Sequence, residues 1–245
     1  MHVGKDKNCP NLTINGKAVK HVENEKYLGQ YLSSNGKNDK NIDNTCNKGI
    51  GTSSQVHALL KEISLGQYYF HIGLLLRDTN VINAMLFSAE SWYGVTKNQI
   101  EKIEDVDVCF LKKLLKAHSK TAKESFYLET GKIPPKFIII SRRLMFLKHI
   151  LNSNRNGLLA RFFQAQKASP VKNDWATQVE KDKTDIGLLI SDSDIENLSK
   201  NKFKKILKAH IIVAALKYLN NLAEGHSKSI NLMKKKIILF RIFKR

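Results

Sequence analysis

The apolar and polar positions of this chain change their period once, near residue 39. Before that point, Leu12, Ile14, Ala18 and Val22 flank Asn15-Gly16, the dipeptide that most readily takes positive φ and marks a two-residue hairpin. A second extended run, Tyr27 to Ser33, ends at another such pair, Asn35-Gly36. It contains most of EKYLGQYL, Glu25 to Leu32, the stretch at the strand-to-helix switch. From Asp39 onward Ile42, Ile50, Val56, Leu59, Leu60 and Ile63 recur at helical intervals up to Gly66, with Gly49-Ile50-Gly51 interrupting them. Tyr68 to Met85 predicts one or two apolar helices, followed by Phe87 to Trp92.

Later boundaries carry local signals. Thr96-Lys-Asn-Gln99 and Thr121-Ala-Lys-Glu124 both have the form in which two side chains cap a helix start reciprocally. The first opens a helix through Ile100, Ile103, Val106, Phe110, Leu111 and Leu114; the second opens a short helix stopped by Gly131. Pro134-Pro135 precedes a helix over Lys136 to Leu151, at a position where proline is tolerated. Further helices are predicted over Gly157–Ala168, Asp174–Ile186, Asp192–Leu198 and Lys200–Ala223. The fold class is therefore mainly α, a multi-helix bundle with a small N-terminal β-hairpin or three-strand element. No internal repeat occurs.

Charge changes the picture. Forty-one Lys and Arg face twenty-two Asp and Glu, a net charge of +19, which favours polyanionic partners and nucleic acid first. From Lys200 to Arg245 there are thirteen Lys or Arg against the single acid Glu224. Lys202, Lys204, Lys205 and Lys208 are placed to line one helix face opposite Phe203, Ile206, Leu207 and Ile211, a candidate phosphate-backbone surface. Arg142-Arg143 sits inside an apolar helix, where paired arginines need either an acidic partner, such as the helix carrying Glu101 to Asp107, or a phosphate. The aromatic residues Tyr68, Tyr69, Phe70, Trp92 and Tyr93 lie among helical apolar positions and read as core.

Catalytic chemistry is not evident. Glu101, Glu104, Asp105 and Asp107 are the densest carboxylates, but Asp105 and Asp107 at i and i+2 point apart on a helix. They read as a solvated acidic face near a helix start, and Asp192 and Asp194 read as a helix start too. No nucleophile elbow, phosphate-cradling loop or zinc-protease motif is present. Cys9, Cys46 and Cys109 are too widely spaced for a zinc module or a disulfide framework, which suits a reducing compartment. Met1 to Thr13 is polar, and the apolar runs Phe137–Leu147 and Ile211–Leu219 are broken by Arg142, Arg143 and Lys217. An intracellular, soluble protein is expected, nucleus and cytoplasm being equally compatible. No small-molecule substrate is expected, and no membrane partner.

Taken in order, MHVGK, EKYLGQYLSSNGKNDKNI, KGIG with Gln55 after it, LLLRD, ESWYGVTKNQIEKIEDVD, YLETGKIPPKFIIISRRLMFLKHIL and FFQAQKASPVKNDW resemble the non-LTR (LINE-type) retrotransposon reverse transcriptases. The similar region is the one C-terminal to the polymerase palm, and it covers Met1 to about Ser227. The resemblance implies an end-of-palm, primer-grip-like β element over 1–36, a thumb-like helical domain over 37–131, a helical connector over 132–225 and a basic, truncated tail over 226–245. It implies grip roles for Lys26, Tyr27, Leu28 and Gly29, and nucleic-acid backbone contacts for Lys37, Lys40, Lys48 and Gly49. RNA or an RNA–DNA template–primer duplex is the implied partner. The family's catalytic aspartates, including the Tyr-x-Asp-Asp turn that binds magnesium, lie upstream of the similar region. This chain is thus expected to hold no cofactor and to lack polymerase activity alone. Met1 matches an internal methionine of the family, which implies a reading frame opened within an older element. Two other readings remain open: an active reverse transcriptase whose gene model is incomplete, and a helical interaction protein without a nucleic-acid role.

Overall fold

The structure, a computed structural model, describes residues 13–63, 65–154 and 156–224. The MHVGK segment and the tail over 226–245 lie outside the described residues. Strands β1 (Thr13–Ile14) and β2 (Lys17–Ala18) pair antiparallel. Asn15 and Gly16 between them take φ of 51° and 75°, the left-handed pair that a tight hairpin turn requires. Strands β3 (Asn24–Tyr27) and β4 (Gln30–Ser33) form a second antiparallel pair with Tyr27 opposite Gln30. The expected single extended run Tyr27–Ser33 is therefore a hairpin. Its turn is Leu28-Gly29, with φ of 46° and 84°, and Gly29 supplies the half of that geometry which costs a side-chain residue most. The two hairpins are separate two-stranded sheets.

The remaining described elements are helical. Helix α1 (Asp39–Glu62) runs straight through Gly49-Ile50-Gly51. Gly49 is buried at a close approach: a Cβ there would lie 3.0 Å from Val106 Cγ1 and 3.1 Å from Met85 Sδ. Then come α2 (Tyr69–Leu76), a π-helical turn over Arg77–Val81, α3 (Ile82–Met85) and a 3₁₀ turn over Ala89–Ser91. Gly73 of α2 admits Leu114 in the same way; a Cβ there would meet Leu114 Cδ1 at 2.3 Å.

Helix α4 (Lys97–Leu114) starts at the predicted reciprocal cap, Thr96 Oγ1 accepting from Gln99 N and Gln99 Oε1 from Thr96 N at 2.9 Å. It lies alongside α1 in the same direction. Gln99 bonds Asp39 at their starts, and His57 packs on Phe110 further along. The second predicted cap does not form. Helix α5 (Lys123–Thr130) begins one residue late, with Ala122 in the cap position, so Thr121 is out of register with the free amides. Gly131 ends it with φ of 66°. Helix α6 (Pro135–Leu151) has Pro135 in its first turn. Then follow α7 (Leu158–Ala168), α8 (Trp175–Asp185, capped by Asp174), α9 (Asp192–Asn197, capped by Ser191) and α10 (Lys200–Glu224).

Helices α6 to α10 share one apolar cluster, which includes Leu144, Phe163, Val179, Ile195 and Phe203. A second cluster joins α1, α4 and α5, and a third joins Ile42, Met85, Trp92 and Ile103 to Ile139 of α6. On α10 the buried positions Phe203, Leu207, Ile211, Ala215, Leu219 and Ala223 recur at every fourth residue. That spacing turns about 40° per step on a 3.6-residue helix, so the stripe winds around α10. It packs on the first cluster as far as Ala215 and reaches the second at Leu219. Among the aromatic residues expected in the core, Trp92 is buried in the third cluster and Tyr69 is partly buried against the second. Tyr68, Phe70 and Tyr93 are exposed, against that expectation.

The acidic face of α4 is only partly solvated, a correction to the sequence reading. Asp105 is exposed and meets Lys123. Asp107 is fully enclosed: Arg77 Nε and Nη2 donate to its two oxygens at 2.7 and 2.5 Å, and Tyr127 Oη donates at 3.1 Å. Burial opposes the Arg77 charge, but Asp107 outweighs it and holds the guanidinium above its usual pKa. Burial, with Asp107 beside it, drives the Tyr127 phenol well above its usual range.

Glu104 is also buried, its Oε2 accepting from Tyr218 Oη of α10 at 3.1 Å while Oε1 has no partner among the described residues. Burial pushes its carboxyl from 4.5 up to about 7, against the pull of the Tyr218 hydrogen bond and of Lys123 and Lys136, with Asp107 adding to the rise. A carboxyl whose folded pKa exceeds its unfolded one contributes stability at low pH that is lost as pH rises between the two values. Wild-type protein should therefore lose up to about 3 kcal/mol of unfolding free energy between pH 4.5 and 8 from this group. Urea titrations should find that loss diminished in Glu104→Gln; parallel pH profiles for the two proteins would refute the assignment.

Candidate nucleic-acid interface

The β3–β4 hairpin is fastened to the helical body at four places. Gln30 Nε2 donates to Phe87 O at 2.8 Å, Trp92 Nε1 to Gln30 Oε1 at 3.1 Å, and Tyr31 N to Asn41 Oδ1 at 3.2 Å. Lys48 Nζ, reaching from α1, donates to Gly29 O at 3.2 Å and lies 5.9 Å from the Phe87 ring centre. The turn thus rests on Phe87, and a Cβ at Gly29 would contact that ring at 3.5 Å. Lys26 and Lys40 both stand over the Tyr31 ring, at 6.0 and 4.9 Å, an arrangement in which ring quadrupole and ammonium attract.

Four of the sequence candidates, Lys26, Gly29, Lys40 and Lys48, therefore meet in one corner. Tyr27 and Leu28 project from it, 63% and 76% exposed. Lys37 is exposed just before α1. Gly49 does not belong to the corner. It is enclosed between α1, Val106 and Met85, so its backbone is out of reach of a ligand, a correction whose cause is the tight helix crossing.

The two arginines part company. Arg143 is 3% exposed and ion-paired with Asp182 of α8, which also accepts from Gln178 at 2.9 Å. Burial raises the Asp182 carboxyl despite the opposing charge of Arg143. The acidic helix over Glu101–Asp107 is not its partner, and Arg143 presents no free face to a phosphate. Arg142 is half-buried and donates to Leu86 O and Asn83 Oδ1, neutral acceptors at the end of α3. Burial lowers its pKa from the usual value.

On α10, Lys202, Lys204, Lys205 and Lys208 are all exposed, and Phe203, Leu207 and Ile211 are buried opposite them as the spacing predicted; Ile206 is half-buried. Among the described residues none of these four lysines has an acidic partner. Many carboxylates are already engaged. Asp78 holds Arg77 and Lys132, Asp182 holds Arg143, and Asp192 holds Lys167 and Lys183.

Sequence patterning missed a cleft between α6 and the α9–α10 turn. It encloses about 630 Å³ and is lined by Arg142, Phe146, Lys148, His149 and Lys200 among others. Only the run of apolar and basic residues along α6 hinted at it. Among the described residues no group of three or more His, Cys, Asp or Glu is placed to hold a metal ion, and no helix is long and apolar enough to cross a membrane.

No known protein-family model, curated protein or solved structure matches this chain.

Substituting Gly29→Ala should strain the φ 84° turn by about 1–2 kcal/mol and free the hairpin locally. Hydrogen exchange over 24–33 is expected to accelerate while α4 and α6 keep their protection. Unchanged exchange in the hairpin would show that Gly29 is not what holds the turn.

Proposed function

We propose that this chain is a nucleic-acid-binding helical module derived from a non-LTR retrotransposon reverse transcriptase. It holds RNA or an RNA–DNA template–primer duplex by its phosphates and does not polymerise by itself. The observation that carries this reading is the exposed lysine group of α10, Lys202, Lys204, Lys205 and Lys208, without acidic partners among the described residues in a chain of net charge +19. The hairpin corner supports it with Lys26 and Lys40, whose ammonium groups lie beside an aromatic ring at the surface. Such contacts position a duplex without reading its bases, so affinity depends steeply on salt and weakly on sequence. The ordered motifs that resemble the thumb and connector region of that family support this ancestry.

The exposed hairpin tip, Tyr27 and Leu28, favours one second reading, a protein docking surface with no nucleic-acid role.

Fluorescence anisotropy with a labelled RNA–DNA hybrid separates the two. Binding is expected near 50 mM salt, with log K falling on log salt by roughly 0.9 for each neutralised phosphate. Replacing the four α10 lysines by Gln should make that slope shallower by about 2 to 4. Absence of binding at about 50 mM salt would overturn the proposal. Incorporation of nucleotides by a pure sample would overturn the inactivity.

A further inference from the structure

The α6 cleft is a built site with its own chemistry. Its volume of about 630 Å³ falls in the range of small-molecule sites. Arg142, Met145, Phe146 and His149 line it from α6, with Asn152 just after the helix ends, positions three and four apart that stack on one face over about 15 Å. Glu90 adds to the lining, as do Leu198, Ser199 and Lys200 where α10 begins.

Lys148 is the group that asks for a ligand. It is 5% exposed, its Nζ donates to Glu196 O at 2.9 Å, and among the described residues no carboxylate pairs with it. An ammonium taken out of water and satisfied by one carbonyl is incompletely compensated, and this one lines a cavity. Arg142 is likewise bonded to neutral acceptors. Lys200 adds a third cation and stands at the start of α10, a helix of 25 residues whose amide end attracts anions. Glu90 is the single carboxylate of the lining. Between the charges the wall is apolar and flat. Phe146 is held edge-on by Trp175, with centroids 5.7 Å apart, and stacks on His149 at 6.1 Å.

We infer that this cleft binds a nucleoside monophosphate unit. The phosphate sits at Lys148, Lys200 and the start of α10; the base lies against Phe146 with its polar edge toward Glu90 and Arg142. Lys200, Lys204 and Lys208 follow at every fourth residue and lead away along α10. The unit can therefore be a free nucleotide or the phosphorylated end of a strand. The strand source rests on the nucleic-acid reading above, whereas the nucleotide site does not.

Calorimetric titration of the full chain with AMP, adenosine and inorganic phosphate tests the site. AMP should bind with Kd below about 1 mM, and adenosine and phosphate each about tenfold more weakly. Lys148→Met should weaken AMP about tenfold with the helical circular dichroism retained. Should that variant misfold, exposed Lys200→Gln gives the same test, with a loss of about threefold or more. Adenosine binding as well as AMP, phosphate binding as well as AMP (an adventitious ion only), or a well-folded Lys148→Met with unchanged affinity would each overturn the inference. A 5′-phosphorylated oligoadenylate that displaces AMP, and binds less tightly to Lys204→Glu/Lys208→Glu, assigns a strand end. AMP binding that the oligonucleotide leaves untouched assigns a free nucleotide; both outcomes support the site. Loss of AMP binding with hybrid binding intact refutes the cleft alone, and the converse refutes the duplex reading alone.

Discussion

The buried fork of Arg77 on Asp107 is the constraint around which the N-terminal two-thirds of the molecule is arranged. Arg77 opens the π-helical turn between α2 and α3, and its guanidinium reaches Asp107 of α4 with two hydrogen bonds and Ile133 O, before α6, with a third at 3.3 Å. Tyr127 of α5 donates to the same carboxylate. Three helical segments and the loop before α6 thus meet at one charged centre. Removing one partner of such a pair leaves an uncompensated buried charge, at a cost of about 3–5 kcal/mol. The wide π turn is the local irregularity that accompanies this arrangement. Lys132 on Asp78 extends the network to the surface.

The same pattern recurs on the C-terminal side, where Arg143 meets Asp182 and Lys183 meets Asp192. The first ties α6 to α8 across 39 residues and the second joins the consecutive helices α8 and α9, and each uses up an acid inside or at a seam. The surplus bases remain outside, on α10 and around the β3–β4 hairpin. Internal electrostatics and the proposed function are linked in this way: a chain that spends its acids on fastening helices keeps a cationic exterior, and a polyanion is the partner that exterior suits. Glu104 departs from this pattern, a buried carboxylate met by a phenol rather than a base.

Most local signals are legible in the sequence, and distant pairings are not. Asn15-Gly16, Thr96 with Gln99, Gly131 and Pro135 act on neighbours a few residues away, and the structure places each as its chemistry predicts. The Leu28-Gly29 turn was hidden because leucine is a poor occupant of left-handed φ, and Thr121 failed as a cap through a one-residue shift. Asp107 was read as solvated because its partner lies 30 residues away; Arg143 and Asp182 are 39 apart, Glu104 and Tyr218 114 apart. Gly49 and Gly73 weaken a helix by propensity, yet each leaves the space that side chains of other helices fill, Val106 and Met85 at the first and Leu114 at the second. The lysines of α10 were legible because burial opposite a charged face follows from helical period alone. The α6 cleft was not, since it is made by three segments that meet only in the fold.

Lysine footprinting by acetylation and mass spectrometry, with and without an RNA–DNA hybrid at about 50 mM salt, tests the central claim most directly. The account predicts that Lys202, Lys204, Lys205 and Lys208, with Lys26 and Lys40, are shielded by the hybrid while other exposed lysines keep their reactivity. Shielding spread evenly over all exposed lysines, or none at these positions, would contradict it.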